Sequence, residues 1–164
     1  AGAGNDRIFG EAGDDVLYGD EGDDIIDGGA GNDTLNGGEG NDTYLVDVGA
    51  GQDVITNYNS GSSIDTVQFG DHVSLEDLWF RRNAGDLEVN IVGTADKVVV
   101  SNWYASNDYH VDQFRTADGK TLLDSQVQSL VDSMASFGVD AGAEISLTNA
   151  QHTQLEGVLA ANWK

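Results

Sequence analysis

The sequence predicts a mainly β protein, in which a coil of stacked short strands is followed by an antiparallel sheet and one or two C-terminal α-helices. Three observations predict this fold: a nine-residue repeat near the start, strand and turn signals after it, and helical periodicity in residues 124–164. We expect one continuous structural domain with three parts, at residues 1–60, 61–123 and 124–164.

The repeat comes first along the chain. Five consecutive nonapeptides share one frame over residues 1–45, with glycine always fourth, aspartate sixth and a large apolar residue eighth. A weaker sixth copy at 48–56 follows a short slip in register and keeps Gly51, Asp53 and Ile55. A disordered acidic linker would not need a fixed frame with an apolar residue every nine positions, so the agreement indicates a true internal repeat.

The residue types of one unit predict its conformation. Glycine tolerates positive φ and close backbone approach, so the first six residues can form a tight turn with inward carbonyls. The next three residues can form a short strand with one apolar side chain inside. Such units bury their apolar residues only if they stack, with alternate turns aligned on each edge of the coil. Unit n then lies over unit n+2, which pairs Asp6 with Asp24, Asp15 with Asp33, and Asp24 with Asp42.

The charge of this segment requires a counter-ion. Residues 1–53 contain fourteen Asp or Glu against one basic residue, Arg7. Stacked carboxylates about 4 Å apart repel each other by ~4 kcal/mol at an intermediate dielectric. A hard divalent cation removes this repulsion, and oxygen ligands in a chain without cysteine favour Ca²⁺. Mg²⁺ is less suitable because it requires stricter octahedral geometry and retains its waters.

The frame resembles the Gly-Gly-x-Gly-x-Asp-x-U-x signature of RTX (repeats-in-toxin) proteins, where U is apolar. The units at 28–36 and 37–45 agree throughout, except that Tyr44 replaces a smaller aliphatic residue. The first three units lose one of the paired glycines, at Ala1, Glu11 and Asp20. The resemblance implies a calcium-filled parallel β-roll, an RTX solenoid, with roughly three to five ions.

The resemblance also implies a ligand set, made of sixth-position side chains and backbone carbonyls of the turns. The implied side-chain ligands are Asp6, Asp15, Asp24, Asp33, Asp42 and, in the weaker sixth copy, Asp53. The implied carbonyl donors are mainly Gly4, Asn5, Gly13, Asp14, Gly22, Asp23, Gly31, Asn32, Gly40 and Asn41.

The middle of the chain has ordinary strand signals. Alternating apolar residues predict strands at 65–69, 78–82, 86–92, 97–103, 111–116 and 121–123. Turn residues separate several of them, and 117–120 is a strong hairpin signal. We expect an antiparallel sheet that continues the coil and caps its open edge, since a bare terminal coil would leave backbone groups unpaired.

Two helices are predicted at the end of the chain. The first spans 124–138, with Asp124 as its N-cap, Gly138 at C′ and an apolar stripe that includes Phe137. A linker at 139–144 follows. Thr148 and Gln151 form a capping-box pattern for the second helix. The apolar face of that helix contains Leu155, Val158, Leu159 and Trp163.

Residues 65–164 resemble the haemolysin-type calcium-binding related region and the secretion-signal tail that end many type I secreted bacterial proteins. The stretch at 78–104 carries much of this resemblance. The resemblance implies export by the type I secretion machinery through a C-terminal signal, in place of an N-terminal signal peptide. It also implies an extracellular or cell-surface location. We expect the repeats to stay unfolded at low cytosolic calcium and to fold outside the cell, which aids secretion and folding of the parent protein.

Other function classes are less favoured by the residues. His72, His110 and His152 lie in separate contexts without a metalloprotease or serine-hydrolase motif, so we expect no enzyme activity. The net charge of −22 argues against nucleic acid as a partner. No stretch reaches the roughly eighteen apolar residues of a membrane span, and we expect a monomeric module.

Two alternatives remain open from the sequence. One is a carbohydrate-binding accessory module, with a groove for an acidic glycan built from Trp79, Arg81, Arg82, Trp103, Tyr104, Tyr109 and His110. The competing interpretation makes both tryptophans core residues and pairs the arginines with nearby acids. The other alternative is a calcium-dependent adhesin or self-assembling surface segment.

Overall fold

A computed structural model describes residues 1–58, 61–139 and 147–164. These residues contain thirteen strands and two α-helices. The helices are α1 (Asp124–Ala135) and α2 (Asn149–Asn162). The strands are β1 (Gly2–Ala3), β2 (Arg7–Phe9), β3 (Val16–Glu21), β4 (Ile25–Asp27), β5 (Thr34–Glu39), β6 (Thr43–Val46), β7 (Gln52–Ile55), β8 (Thr66–Phe69), β9 (Leu78–Asn83), β10 (Asp86–Ile91), β11 (Lys97–Val100), β12 (Gln113–Arg115) and β13 (Thr121–Leu123).

The repeats form a parallel β-solenoid, which confirms the predicted fold class. Strands β1, β3, β5 and β7 pair in one sheet, and β2, β4, β6 and β8 pair in the other, all in parallel. Leu17 pairs with Leu35 and Ile26 pairs with Tyr44, so each unit stacks on the second unit after it. The eighth-position side chains of Ile26, Leu35 and Tyr44 are completely buried between the two sheets.

The slip before the sixth copy is absorbed in a turn. Leu35 pairs with Ile55, twenty residues later, whereas the other stacked units are eighteen residues apart. The turn before Gly51 holds the additional residues, with the amide of Ala50 bonded to the carbonyl of Asp47. The sixth copy is therefore a genuine coil of the solenoid.

The cap extends both sheets of the solenoid. Strand β11 adds to β7 and β12 adds to β8, both in parallel. Only then does the pairing become antiparallel, from β11 through β10 to β9 in one sheet and from β12 to β13 in the other. The expected continuation of the coil is confirmed, with the difference that its first added strands are parallel.

Most predicted strands agree with the structure within two residues. The strand predicted at 97–103 ends at Val100, because Asn102 has a left-handed φ of 59° and its amide donates to Asp86. The hairpin around 117–120 is present, with Phe114 opposite Leu122.

The helices cover the cap. Helix α1 packs against β9 and begins one residue earlier than predicted, because Leu123 and not Asp124 is its N-cap. It ends at a C-cap of Ser136, so C′ is Phe137, and the left-handed Gly138, predicted at C′, lies one residue beyond it. The Thr148 hydroxyl accepts a hydrogen bond from the Gln151 amide and starts α2, as predicted. The predicted boundary at residue 60 and most of the 139–144 linker lie outside the described residues.

A single apolar core runs from the solenoid into the cap. Phe80 lies at its centre, with its ring 5.3 Å from that of Phe114 and 6.3 Å from that of Trp163. The backbone of Lys164 pairs with that of Thr121, so the residues after α2 are fixed to β13. Neither helix in the described ranges is long and apolar enough to cross a membrane.

Candidate metal sites

The sixth-position aspartates form two columns, one on each edge of the solenoid. In the first column, the amide of Asp6 donates to Oδ1 of Asp24 at 2.7 Å, and the amide of Asp24 donates to Oδ1 of Asp42 at 2.9 Å. The carboxylates of Asp24 and Asp42 are therefore each fixed by the backbone of the turn stacked against them. The structure brings together all the pairs that the repeat spacing predicts for this edge.

The second column repeats this arrangement. The amide of Asp15 donates to Oδ1 of Asp33 at 2.8 Å, and the amide of Asp33 donates to Oδ1 of Asp53 at 3.0 Å. Asp53 therefore joins the column despite the slip in register before the sixth copy.

Several of these carboxylates are buried with one oxygen unsatisfied. The side chains of Asp24, Asp33 and Asp42 are at most 1% exposed. The Oδ2 atoms that lack any hydrogen-bond partner belong to Asp15, Asp24, Asp33 and Asp42. A buried, unpaired carboxylate oxygen is costly, so these atoms indicate a missing positive partner. Arg7, the one basic residue of 1–58, is exposed and does not fill that role.

Burial also disfavours ionisation in both columns. Burial, together with the charge of neighbouring aspartates, raises the pKa of Asp42 to about 6 and that of Asp53 to about 7. Backbone hydrogen bonds to each carboxylate oppose the shift without cancelling it. A cation beside these groups would reverse the effect, since opposite charge favours the ionised form.

Glycine leaves the space into which the unsatisfied oxygens point. A Cβ on Gly28 would lie less than 3.0 Å from Oδ2 of Asp33, and a Cβ on Gly37 would meet Oδ2 of Asp42 equally closely. These first-position glycines have no positive φ that would require glycine, so the requirement comes from the adjacent carboxylate.

Glycines at the fourth position of the repeat allow the backbones of stacked turns to come close together. A Cβ on Gly31 would clash with the carbonyl oxygen of Gly13, and one on Gly40 would clash with that of Gly22. Both residues also have positive φ, of 154° and 130°. Carbonyl oxygens of the fourth position therefore lie between stacked turns. The same relation joins Gly4 to Gly22 and Gly31 to Gly51.

Fifth-position side chains form a separate ladder on the solvent side. Oδ1 of Asp14 accepts from the amide of Asn32 at 2.8 Å, and Oδ1 of Asp23 accepts from the amide of Asn41 at 2.8 Å. The hydrogen bond from the Asn41 amide lowers the pKa of Asp23, which keeps this exposed group ionised. Asn5 joins the ladder by accepting from the amide of Asp23. The side chains of this position therefore hold adjacent turns in register, which the sequence did not reveal.

The donor set fits a cation that accepts backbone oxygen. Within 1–58, 61–139 and 147–164, no three His, Cys, Asp or Glu side chains converge on one point. A cation in a column must therefore take much of its coordination from main-chain carbonyls. Ca²⁺ accepts six to eight oxygen ligands, carbonyls included, in flexible geometry. The buried carboxylate oxygens and the adjacent carbonyls suit this ion.

The first column continues past the repeats into the cap. The amide of Asp42 donates to Oδ1 of Asp65 at 2.9 Å, and the amide of Asp65 donates to Oδ2 of Asp112 at 2.8 Å. A buried apolar residue follows each of them by two positions, at Val67 and Phe114. This spacing equals that of the sixth and eighth positions of a repeat. The repeat pattern does not identify either residue, because the glycines of the frame are absent there.

The proposed glycan groove is not assembled on an open surface. The side chains of Trp79 and Trp103 are each 3% exposed. Trp79 packs against the ring of Phe137 at 5.7 Å, and Trp103 stacks on His110 at 3.8 Å. Their indole faces are thus unavailable to a sugar ring.

The two arginines of that set also have local partners. Arg81 forms a buried ion pair with Glu88, with Nε 2.7 Å from Oε1. Arg82 is exposed and lies 4.2 Å over the ring of Tyr104. The tryptophans and Arg81 agree with the competing interpretation, in which the tryptophans belong to the core and the arginines pair with nearby acids. Arg82 instead lies over an aromatic ring and donates to the carbonyl of Ala84.

The histidines have unrelated surroundings. His72 is exposed and lies 3.0 Å from Asp47; the hydrogen bond to that carboxylate, together with its charge, raises the pKa of the imidazole. Nε2 of His110 donates to the Trp103 carbonyl oxygen, 2.9 Å away, and Nδ1 lies 3.3 Å from Oδ2 of Asp124. His152 is an exposed residue of α2.

Comparisons with known proteins agree with this geometry. Residues 1–26 and 18–55 match the model of the RTX calcium-binding nonapeptide repeat (4 copies). Residues 86–126 match the model of the haemolysin-type calcium binding protein related domain. Among solved structures, the extracellular lipase LipA from Serratia marcescens matches with 22% identity and a TM-score of 0.38. That match covers 62% of this chain but 19% of the lipase chain, and it is too distant to carry an argument about activity.

Proposed function

This chain belongs to the RTX calcium-binding repeat proteins, and on that premise we propose that its solenoid binds several Ca²⁺ ions and folds when it binds them. The observation that carries the proposal is the set of buried, unpaired carboxylate oxygens in the two columns. RTX repeats are structural calcium-binding modules of type I secreted proteins. We therefore assign the chain a structural role within a secreted parent protein.

The proposed side-chain ligands are the aspartates of the first column (Asp6, Asp24, Asp42) and of the second column (Asp15, Asp33, Asp53). Carbonyls of the fourth and fifth positions of each turn complete the coordination. Bound Ca²⁺ supplies the positive charge that these carboxylates lack within the chain. The chain itself fixes one oxygen of each acceptor carboxylate through a backbone amide and leaves the other directed at the ion.

The proposed mechanism couples folding to the location of the protein. Sites of extracellular affinity, with Kd values of roughly 10⁻⁴–10⁻³ M, stay empty at cytosolic calcium levels. The carboxylates within each column then repel one another, so the repeats remain unfolded. This unfolded state suits passage through the type I machinery. Outside the cell, each filled site stabilises the native state by RT ln(1 + [L]/Kd). The folded module acts as a monomer. Its three parts are the calcium-binding roll at 1–60, the β-rich cap at 61–123 and the helical cap at 124–164.

A far-UV circular dichroism titration with Ca²⁺ tests this proposal, with Mg²⁺ as the control. We expect a cooperative gain of β signal at submillimolar to millimolar Ca²⁺ and no comparable gain with Mg²⁺. A chain whose β signal is already complete in chelator, and to which Ca²⁺ adds nothing, would contradict the proposal.

A further inference from the structure

A buried polar network joins the solenoid to the cap. The amide of Gly37 donates to the Tyr44 hydroxyl at 2.9 Å, and that hydroxyl lies 3.1 Å from Oδ1 of Asn57. The side-chain amide of Asn57 donates to Oδ2 of Asp65 at 2.8 Å and to the carbonyl of His110 at 2.7 Å. Asn57 is only 2% exposed, and Tyr44 and Asp65 are completely buried. The network also explains why Tyr44 replaces an aliphatic residue: its hydroxyl reaches Asn57.

Asp65 differs from the repeat aspartates in one respect. Its Oδ1 accepts from the amide of the preceding aspartate of the column, Asp42, as in every lower rung. Its Oδ2, however, accepts from the neutral amide of Asn57, whereas Oδ2 of Asp42 has no partner. The two carboxylates occupy equivalent positions in consecutive rungs. At Asp65 the second carboxylate oxygen meets the side-chain amide of an asparagine, and at Asp42 it does not.

We propose that the Asn57 side-chain amide takes the place of a cation at the end of the first column. It ends the calcium array at Asp42 and makes the junction between solenoid and cap stable without calcium. The inference rests on the proposed function, because only a calcium-binding column needs a calcium-free end. The metal-free chain then has a folded cap, and the edges of β8 and β11 provide the surfaces on which the solenoid assembles as calcium arrives.

The composition of the cap supports a calcium-free fold. All four buried carboxylate oxygens without a partner in the described residues lie between Asp15 and Asp42, and none lies in the cap. The buried carboxylate of Glu88 is matched by Arg81 and Lys97. Most of the large apolar core residues also belong to the cap. Among residues 61–139 and 147–164, no buried carboxylate oxygen thus lacks a hydrogen-bond partner.

The chain contains its own probe of the cap. Its three tryptophans, Trp79, Trp103 and Trp163, all lie outside the repeats and are buried in the core of the cap. Tryptophan fluorescence during urea unfolding therefore reports the cap, and far-UV circular dichroism reports the solenoid as well.

The decisive experiment is urea unfolding of the full chain in chelator and in millimolar Ca²⁺, followed by tryptophan fluorescence. We expect a cooperative transition in chelator for the natural sequence. Asn57→Asp places a second carboxylate against Asp65, so its midpoint in chelator should fall by roughly 1 M urea and should recover in Ca²⁺. Asn57→Ala should lower the midpoint in both conditions, because a methyl group cannot replace the donor.

Asn36→Ala is the matched control. The Asn36 side-chain amide donates to the carbonyl of Thr56 at 2.7 Å, an amide-to-carbonyl bond like that of Asn57 to His110, part-buried within the solenoid and outside the junction. We expect the tryptophan transition of this variant in chelator to match that of the natural sequence.

Three results would overturn the inference. They are a natural chain without a cooperative tryptophan transition in chelator, an Asn57→Asp variant that behaves like Asn36→Ala, and an Asn57→Asp variant that Ca²⁺ does not recover. The last result would make Asn57 a structural amide that does not replace a cation. A missing Ca²⁺ response of the far-UV signal, by contrast, would refute the proposed function and leave the tryptophan transition in chelator as it is.

Discussion

The solenoid and the cap bury carboxylates in opposite ways. Asp24, Asp33 and Asp42 are almost completely buried, and each has an oxygen without a partner. Glu88 in the cap is equally buried, yet its oxygens accept hydrogen bonds from Arg81 and Lys97. The buried Glu88 of the cap is therefore matched by cationic side chains of the chain itself, whereas these aspartates of the solenoid have an oxygen that no group of the described residues satisfies.

Strand pairing explains this difference. In the antiparallel cap, Glu88 faces Arg81 across β9 and β10, because antiparallel register brings together different residues. In the solenoid, every sixth position stacks on another sixth position. A regular repeat therefore places like charge on like charge and cannot neutralise itself. Under the proposed function, calcium dependence follows from this repetition, and we expect it to end where the repeat ends.

The largest expected effect of a single substitution lies in the cap. Arg81→Met removes a charged partner from the buried Glu88 and should lower the free energy of unfolding of the cap by about 3 kcal/mol. Urea unfolding followed by tryptophan fluorescence measures it, and Ca²⁺ should not restore the loss. Arg82→Met is the control: Arg82 is exposed above Tyr104, so we expect about 1 kcal/mol or less. Equal losses for the two variants would contradict the role assigned to the ion pair.

Removing a charge from the second column should weaken calcium binding but should not destabilise the calcium-free chain. Asp33→Asn keeps an acceptor for the amide of Asp15 but removes the buried charge. We expect the Ca²⁺ midpoint of the far-UV signal to rise about tenfold, equivalent to ~1.4 kcal/mol. In chelator, the same variant should be no less structured than the natural chain, because like-charge repulsion is reduced.

The control for this prediction is Asp14→Asn, the neighbouring aspartate in the exposed ladder. Asparagine already occupies the same position in three other units, at Asn5, Asn32 and Asn41. A Ca²⁺ midpoint that shifts equally in both variants would show that net charge, and not the column, determines calcium binding.

A smaller effect should come from the space beside a carboxylate. Gly28→Ala places a methyl group against the carboxylate of Asp33 without a strained φ. We expect a loss of about 1 kcal/mol, seen as a severalfold rise in the Ca²⁺ midpoint. Gly85→Ala is the control, since a Cβ there meets nothing within 4 Å. Unchanged calcium binding in Gly28→Ala would mean that the carboxylate is not held where the structure has it.

The smallest predicted effect concerns the pH dependence of the cap. Burial raises the pKa of Glu88, but hydrogen bonds from Arg81 and Asn90 and the charges of Arg81 and Lys97 outweigh it, so the pKa lies below its ordinary value of 4.5. A lowered folded-state pKa stabilises the fold above the unfolded-state pKa, and this contribution is lost as the pH falls through the folded-state value. The tryptophan-monitored urea midpoint in chelator should therefore fall below about pH 4.5. This part of the fall should be absent in Glu88→Gln.

The sequence predicted the solenoid well because the same turn-and-strand unit recurs along the chain at a nearly fixed spacing. The fixed aspartate and apolar positions were enough to identify which turns stack, including the pairs Asp6–Asp24 and Asp15–Asp33. The slip before Asp53 did not obscure the sixth coil, because its aspartate and apolar residue kept their relative spacing. Local errors were confined to element ends, such as the N-cap of α1.

The junction could not be predicted from the same pattern. Asp65 and Asp112 continue the column without the glycines that define the repeat, and Asn57 reaches them from a separate segment. The ion pairs of Glu88 with Arg81 and Lys97 depend on the antiparallel register of the strands. Alternating hydrophobicity alone does not define that register. An Asp-x-apolar search without the glycine requirement would have found Asp65 and Asp112.

Hydrogen exchange of the backbone amides, resolved by segment and compared in chelator and in Ca²⁺, tests the difference between the two regions most directly. We expect amides of β3 to β6 to be protected only with Ca²⁺, and amides of β9 to β11 to be protected in both conditions. Protection of the solenoid strands in chelator, or loss of protection in the cap strands without Ca²⁺, would contradict the division into a calcium-dependent roll and a self-neutralised cap.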